Sequence, residues 1–201
     1  FKNGNTIEIA EVYGPRDVFP SFLQNPSRGL LRCHYDMMSF SVTERKRPGP
    51  TRRSNEISRV TESALFPVVD LSKFGNTGFD IYVNILQADA GTRTAGINAA
   101  ALALADAGAP MKDLVCSVAV GKVGDKICVD LTKEEEDYKD GATDLPIAVL
   151  PRSGKITLLQ MDGNMTQKEI KEALEMGKKA VQSIKKLQVK ALKDKYKGAG
   201  K

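Results

Sequence analysis

The 201 residues are 41% hydrophobic and 27% charged, and 30 basic against 25 acidic side chains leave a net charge of +5. That apolar fraction fills a sizeable core, which excludes global disorder, and the length fits one domain, or one domain with two lobes. No run of 18 apolar residues occurs and no basic–apolar–small leader opens the chain, which excludes a spanning helix and a secretory signal of those kinds.

The chain begins at Phe1 inside what reads as a strand, so an N-terminal piece is expected to be missing. Thr6–Tyr13 alternates loosely and predicts a strand, ended by Tyr13-Gly14-Pro15-Arg16. A loop with Pro20 and Pro26 follows, and Leu30–Met38 predicts a second strand. Ser41–Thr51 is polar and broken by prolines. With Arg52 and Arg53 it carries five basic residues, Arg45, Lys46 and Arg47 being the others, against one acid, Glu44. Ile57, Val60, Ala64, Leu65 and Val68 then fall on one helical face, with Ser54 as the expected N-cap.

Asp80–Leu86 is rich in β-branched and aromatic residues and predicts a strand. Gly91-Thr92-Arg93-Thr94 leads into Ala95–Ala107, a helix apolar nearly all round and therefore expected to be buried. Leu114–Val120 and Lys126–Leu131 read as a hairpin around Gly121–Asp125. After an acidic loop, Glu134–Thr143, a second hairpin joins Leu145–Leu150 to Lys155–Met161. Thr166 then caps a long helix with an apolar stripe from Ile170 to Ala191 and a lysine-rich opposite face. Paired strands with helices between and after them predict an α+β layered fold, the helices covering one face of a largely mixed sheet.

Four places carry candidate chemistry. At Gly91-Thr92-Arg93 the backbone N–H groups of a helix start, the helix dipole and a forked guanidinium together suit an oxyanion, phosphate above all; an ordinary cap beside an exposed arginine has the same sequence. The basic loop ending in Arg52 and Arg53 suits a nucleic-acid backbone, or is a solvated loop. Asp137, Asp140 and Asp144 form an acidic run, and Asp144, directly before a strand, can give a proton to a leaving group or hold Mg²⁺. The lysine-rich final helix is a soluble face or a basic rim that attracts RNA.

Two further features point elsewhere. His34, the only histidine, lies mid-strand with no nucleophile pattern around it and is read as structural. Cys33, Cys116 and Cys128 sit at no metal spacing; an odd count in apolar strands favours reduced core thiols and a cytoplasmic address. No Walker or G-x-G-x-x-G motif appears.

Taken in order, Val12-Tyr13-Gly14-Pro15-Arg16, the segment Glu44–Ser54 leading into Glu56-Ile57, Ala90–Gly96 with Ala100–Gly108, and Thr143-Asp144-Leu145-Pro146-Ile147-Ala148 resemble the RNase PH family over nearly the whole chain. They are most similar to the catalytic RNase-PH-type subunit of the archaeal exosome. The resemblance implies an α+β fold of the RNase PH-like (ribosomal protein S5 domain 2-like) type, mixed sheets with packed helices, as one domain over 1–201.

It also implies a phosphate-dependent 3′→5′ exoribonuclease that releases nucleoside 5′-diphosphates and adds tails in reverse. Its site residues fall on Gly91, Thr92, Arg93 and Arg53 for inorganic phosphate, Arg52 and Arg53 for the RNA backbone, and Asp144 as catalytic acid or Mg²⁺ ligand. Tyr138 stands where the family has a second acid, six residues before Asp144, so a one-residue insertion leaves Asp137 or Asp140 for that role. Implied partners are single-stranded RNA, a related non-catalytic RNase-PH-type subunit in a 3+3 hexameric ring, and RNA-binding cap proteins, with no membrane. The alternatives are a stand-alone tRNA-trimming RNase PH homohexamer, a non-catalytic RNA-binding ring subunit, and a phosphate-dependent small-molecule enzyme.

Overall fold

A computed structural model describes residues 1–139 and 141–197. The first sheet comprises β1 (Lys2–Asn3), β2 (Thr6–Asp17), β3 (Leu30–Met37) and β4 (Thr77–Gln87), in the order β1-β2-β4-β3. β2 runs antiparallel to β4, while β3 runs parallel to it, with Leu31, Cys33 and Tyr35 opposite Phe79, Ile81 and Val83. Those six side chains share the inner face and are buried. β2 does not end at Tyr13-Gly14-Pro15-Arg16. It continues past an irregularity to Asp17, because the break in register between Tyr13 and Arg16 removes Pro15 from the ladder, where its missing N–H would be needed.

Helix α1 (Arg52–Leu65) buries Ile57, Ala64 and Leu65 against this face. Its N-cap is Thr51, not Ser54. The Thr51 hydroxyl accepts from the Ser54 N–H at 3.0 Å and the Ser54 hydroxyl accepts from the Thr51 N–H at 2.7 Å. This reciprocal capping box starts the helix two residues after Pro50, so that Arg52 and Arg53 open its first turn.

The second sheet is separate and wholly antiparallel, which corrects the expectation of a single largely mixed sheet. Its strands β5 (Cys116–Val123), β6 (Lys126–Val129), β7 (Ala142–Val149) and β8 (Ile156–Leu159) lie in the order β6-β5-β7-β8. Strand pairing is non-local, so alternation alone cannot say which strands share a sheet. A short helix, α3 (Lys133–Glu136), stands in the acidic segment before β7.

Helix α2 (Thr92–Asp106) lies between the two sheets and is buried on most sides, as its composition requires. Ala-rich sequence lets both sheets approach. Asn98 fixes the register by donating to the Ser117 carbonyl at 2.7 Å and accepting from the Ser117 N–H at 2.8 Å. Helix α4 (Gln167–Lys197) covers the second sheet, burying Ala173 and Val181 with Val118, Val120, Leu145 and Ile147. At Gly177 a Cβ would stand 2.4 Å from Ile147 Cδ1 and 2.9 Å from Val120 Cγ2. Gly177→Val should therefore lower stability by about 1–3 kcal/mol through overpacking, read as a lower urea midpoint with an unchanged m-value.

Cys33 and Cys116 are buried free thiols, each pushed up to about 12 chiefly by burial. Cys128, expected in the core, is only half-buried. His34 stacks on Tyr82 at 4.8 Å on the outer face of the first sheet, a structural contact.

Candidate active site

Three element ends meet where α2 is held between the sheets: the first turn of α1, the first turn of α2, and the start of β7. Gly91 is the α2 N-cap, with φ +57, and supplies no side-chain cap. A Cβ there would find only ordinary contacts, at 3.7 Å or more, so the left-handed backbone rather than space calls for glycine. The helix begins at Thr92, three residues earlier than the apolar run suggests, because Gly91 turns the chain sharply. Its first-turn amides thus remain free of any side-chain acceptor, the arrangement that suits an anion.

Thr92 is buried, and its hydroxyl accepts from the Tyr35 hydroxyl at 2.9 Å. It positions the turn through the core instead of offering its oxygen to a ligand. Tyr35 is pushed up to about 12, by burial first, against the pull of its bond to Thr92 and the charges of Arg53 and Arg93. It was not anticipated in sequence and ties α1 to α2, because its backbone N–H also donates to the Ser58 hydroxyl of α1 at 2.9 Å.

Arg93 corrects a second expectation. Its fork is not free: Nη1 donates to Gln160 Oε1 at 2.7 Å and Nη2 to Glu56 Oε2 at 2.9 Å, while Gln160 donates to the other Glu56 oxygen at 3.0 Å. The buried Nε is the donor left without a partner. Gln160 in turn donates its backbone N–H to the Pro146 carbonyl, two residues past Asp144, so the clamp joins α1, α2 and β7.

Asp144 lies within β7 rather than before it and exchanges backbone hydrogen bonds with Asp162 at 2.9 and 2.8 Å. Its Oδ1 is buried and unpartnered. Burial raises its pKa, Arg93 pulls it down, Asp162 pushes it up, Arg53 pulls it down, and the net direction is up. Arg53, exposed on α1, bears on Asp144, Glu136 and Tyr35 alike and forms no salt bridge among the described residues. Arg52 stands beside it, exposed and without a hydrogen-bond partner among those residues.

The second acid that faces Asp144 is Glu136. Burial and then the Asp144 charge raise its pKa. Asp137 is exposed and pairs with Lys133 at 2.6 Å. Asp140 lies outside the described residues. Among the described residues no three His, Cys, Asp or Glu side chains converge to hold a metal alone. The orphaned Asp144 oxygen nevertheless suits Mg²⁺, which commonly takes one or two carboxylates and completes its shell with water and substrate phosphates.

Residues 1–110 match the 3′ exoribonuclease family, domain 1, and residues 113–180 match domain 2 of the same family. The exosome complex component Rrp41 of Thermococcus kodakarensis is 52% identical over 193 residues, covering 96% of this chain and 77% of that protein. In three dimensions the chain is similar to rice (Oryza sativa) Rrp46, with TM-score 0.83 and 21% identity, covering 96% of this chain and 86% of the other. It is also similar to a chain of the Archaeoglobus fulgidus exosome solved with RNA bound to its active site, with TM-score 0.74 and 20% identity, covering 92% of this chain and 80% of that one. The two family matches, which together span the elements that build the site, make this chain a member of the RNase PH family of 3′ exoribonucleases.

Proposed function

We propose that the chain is the catalytic subunit of an exosome-type ring, a phosphate-dependent 3′→5′ exoribonuclease. One observation carries the reading. Two buried orphans, the Arg93 Nε donor and the Asp144 Oδ1 acceptor, belong to side chains that interact electrostatically beneath an uncapped helix start. Such an arrangement offers fixed positive charge to one anion and a proton donor to the next.

In the proposed reaction an oxygen of inorganic phosphate, held by the amides at Gly91, Thr92 and Arg93, attacks the phosphorus of the terminal phosphodiester. The bond from that phosphorus to the 3′ oxygen of the preceding nucleotide breaks. The terminal nucleotide leaves as a 5′-diphosphate, and the 3′ oxygen takes a proton from Asp144. Two anions must meet, and Arg53 and Arg93 offset their repulsion before reaction. Arg52 and Arg53 hold the RNA backbone from α1. Where Mg²⁺ binds, Asp144 would hold it, and the ion would supply charge stabilisation for the phosphate oxygens. The 52% identity to an exosome component Rrp41 supports membership of an exosome-type complex. Single-stranded RNA, a related non-catalytic subunit in a 3+3 ring, RNA-binding cap proteins and a cytoplasmic setting are the rest of the proposal.

The test is single-stranded RNA with and without phosphate, assayed with the partner subunit present. Nucleoside diphosphates should appear only with phosphate; monophosphates released without it would overturn phosphorolysis. Arg93→Ala should raise the phosphate concentration needed for half-maximal rate by about 10–100-fold, the loss of a charged hydrogen-bonding group. A matched kcat at saturating phosphate confirms that the arginine serves binding.

A further inference from the structure

Beyond Glu175 the final helix carries eight lysines and a single acid, Asp194. Two of the eight are engaged: Lys178 with Glu175 at 3.7 Å, and Lys195 with Asp106 at 2.5 Å. Lys179, Lys186, Lys190, Lys193 and Lys197 are all exposed and have no ion pair among the described residues. Their spacings of seven, four, three and four residues put them on one line along the helix. At a rise of 1.5 Å per residue, the last four stand about 6, 4.5 and 6 Å apart along the axis.

The ridge is rigid. Gln188, directly behind it, is buried and donates to the Val115 carbonyl at 3.3 Å. At the far end Lys195 and the Tyr196 hydroxyl both anchor on Asp106 of α2, the latter at 3.0 Å. Like charges three and four residues apart repel, so the ridge costs the helix stability until a polyanion neutralises it. A bilayer is a poor fit, because most of the apolar stripe of α4 is spent on the second sheet through Ala173 and Val181, and a lone exposed Leu187 beside the ridge is no apolar face to bury. A flexible phosphodiester chain fits a line of cations along an open groove, which Val189 and Asp194 line beside Lys186, Lys190, Lys193 and Lys197.

We infer that this lysine ridge is a second, sequence-independent binding surface for the RNA backbone, separate from the α1–α2–β7 site. It rests on the reading of RNA as substrate. It would hold the body of a long strand while the 3′ end is processed.

The experiment compares the assembled protein with K186Q/K190Q/K193Q/K197Q and with the matching four-arginine variant. Affinity for long unstructured RNA is measured against salt, and nucleoside diphosphate release is measured on an oligonucleotide too short to reach both places. The glutamine variant should lose about 0.7 from the slope of log K against log salt for each lysine engaged. It should melt no lower than the parent and process the short oligonucleotide unchanged, and the arginine variant should behave like the parent. An unchanged slope with glutamine, or an equal loss with arginine, overturns the inference. So does loss of binding to polyglutamate or anionic phospholipid vesicles with RNA binding intact. Failure of diphosphate release from the short oligonucleotide in every form, the parent included, would instead sink the reading of the active site, while the salt slope still reports on the ridge.

Discussion

Asp144→Asn should lower phosphate-dependent release of nucleoside diphosphates by about 10²–10⁴-fold, the usual worth of a positioned general acid. RNA affinity should not fall, because Arg52 and Arg53, which are proposed to hold the backbone, stand on a different element. Nor should the fold weaken. Burial, the largest influence on this carboxyl, raises its pKa, so at neutral pH the ionised group is a cost that asparagine removes. A urea midpoint equal to or above the parent's, with activity gone, separates lost chemistry from lost structure.

The pH profile distinguishes the two roles open to Asp144. A general acid must carry its proton, so the rate falls as pH rises through the raised pKa. A carboxylate that holds Mg²⁺ must lose it, so the rate rises over the same range. The environment favours the first: a carboxyl with one oxygen buried and unpartnered, influenced by the charges of Asp162 and Glu136, keeps the proton longer than an exposed aspartate. The descending limb is expected, and a rising limb would assign the residue to the metal.

How far the sequence discloses this site depends on the range of each interaction. Local patterns were legible. The helix start after Gly91 and the pair Arg52–Arg53 follow from turn chemistry and composition, whereas the strand read as beginning after Asp144 begins at Ala142 and carries it. Convergence was not, because α1, α2 and β7 meet only through packing of two separate sheets on one buried helix, and the family resemblance alone joined them. Glu56 and Gln160, which occupy the Arg93 fork, stand 104 residues apart and carry no mutual signal. Glu136 was masked by its neighbours, since a run of acids reads as a solvated loop until α3 turns one of them inward. Thr51 and Ser54 are equally good caps in sequence, and their reciprocal bonds decide only in three dimensions.

Glu8 was equally hidden: Glu8 and Glu11 are three apart in a strand, so they must point to opposite faces, and polarity alone does not say which is buried. It is Glu8, only 1% exposed, with both carboxylate oxygens unpartnered. Burial drives its pKa well above the ordinary carboxylate value. Its charge also bears on Tyr35, the hub between α1 and α2. A carboxyl whose folded pKa is raised destabilises the protein as pH climbs. Below its unfolded value both states hold the proton and nothing is lost. From there up to the folded value only the unfolded state ionises, at about 1.4 kcal/mol per pH unit. Glu8→Met, similar in volume and without the polar group, should therefore stabilise the fold by about 1–3 kcal/mol or more at pH 7. The gain should shrink steadily as the pH is lowered towards 4. Paired urea titrations across that range check the sign, and a gain independent of pH would mean that packing, rather than the buried carboxyl, sets the cost.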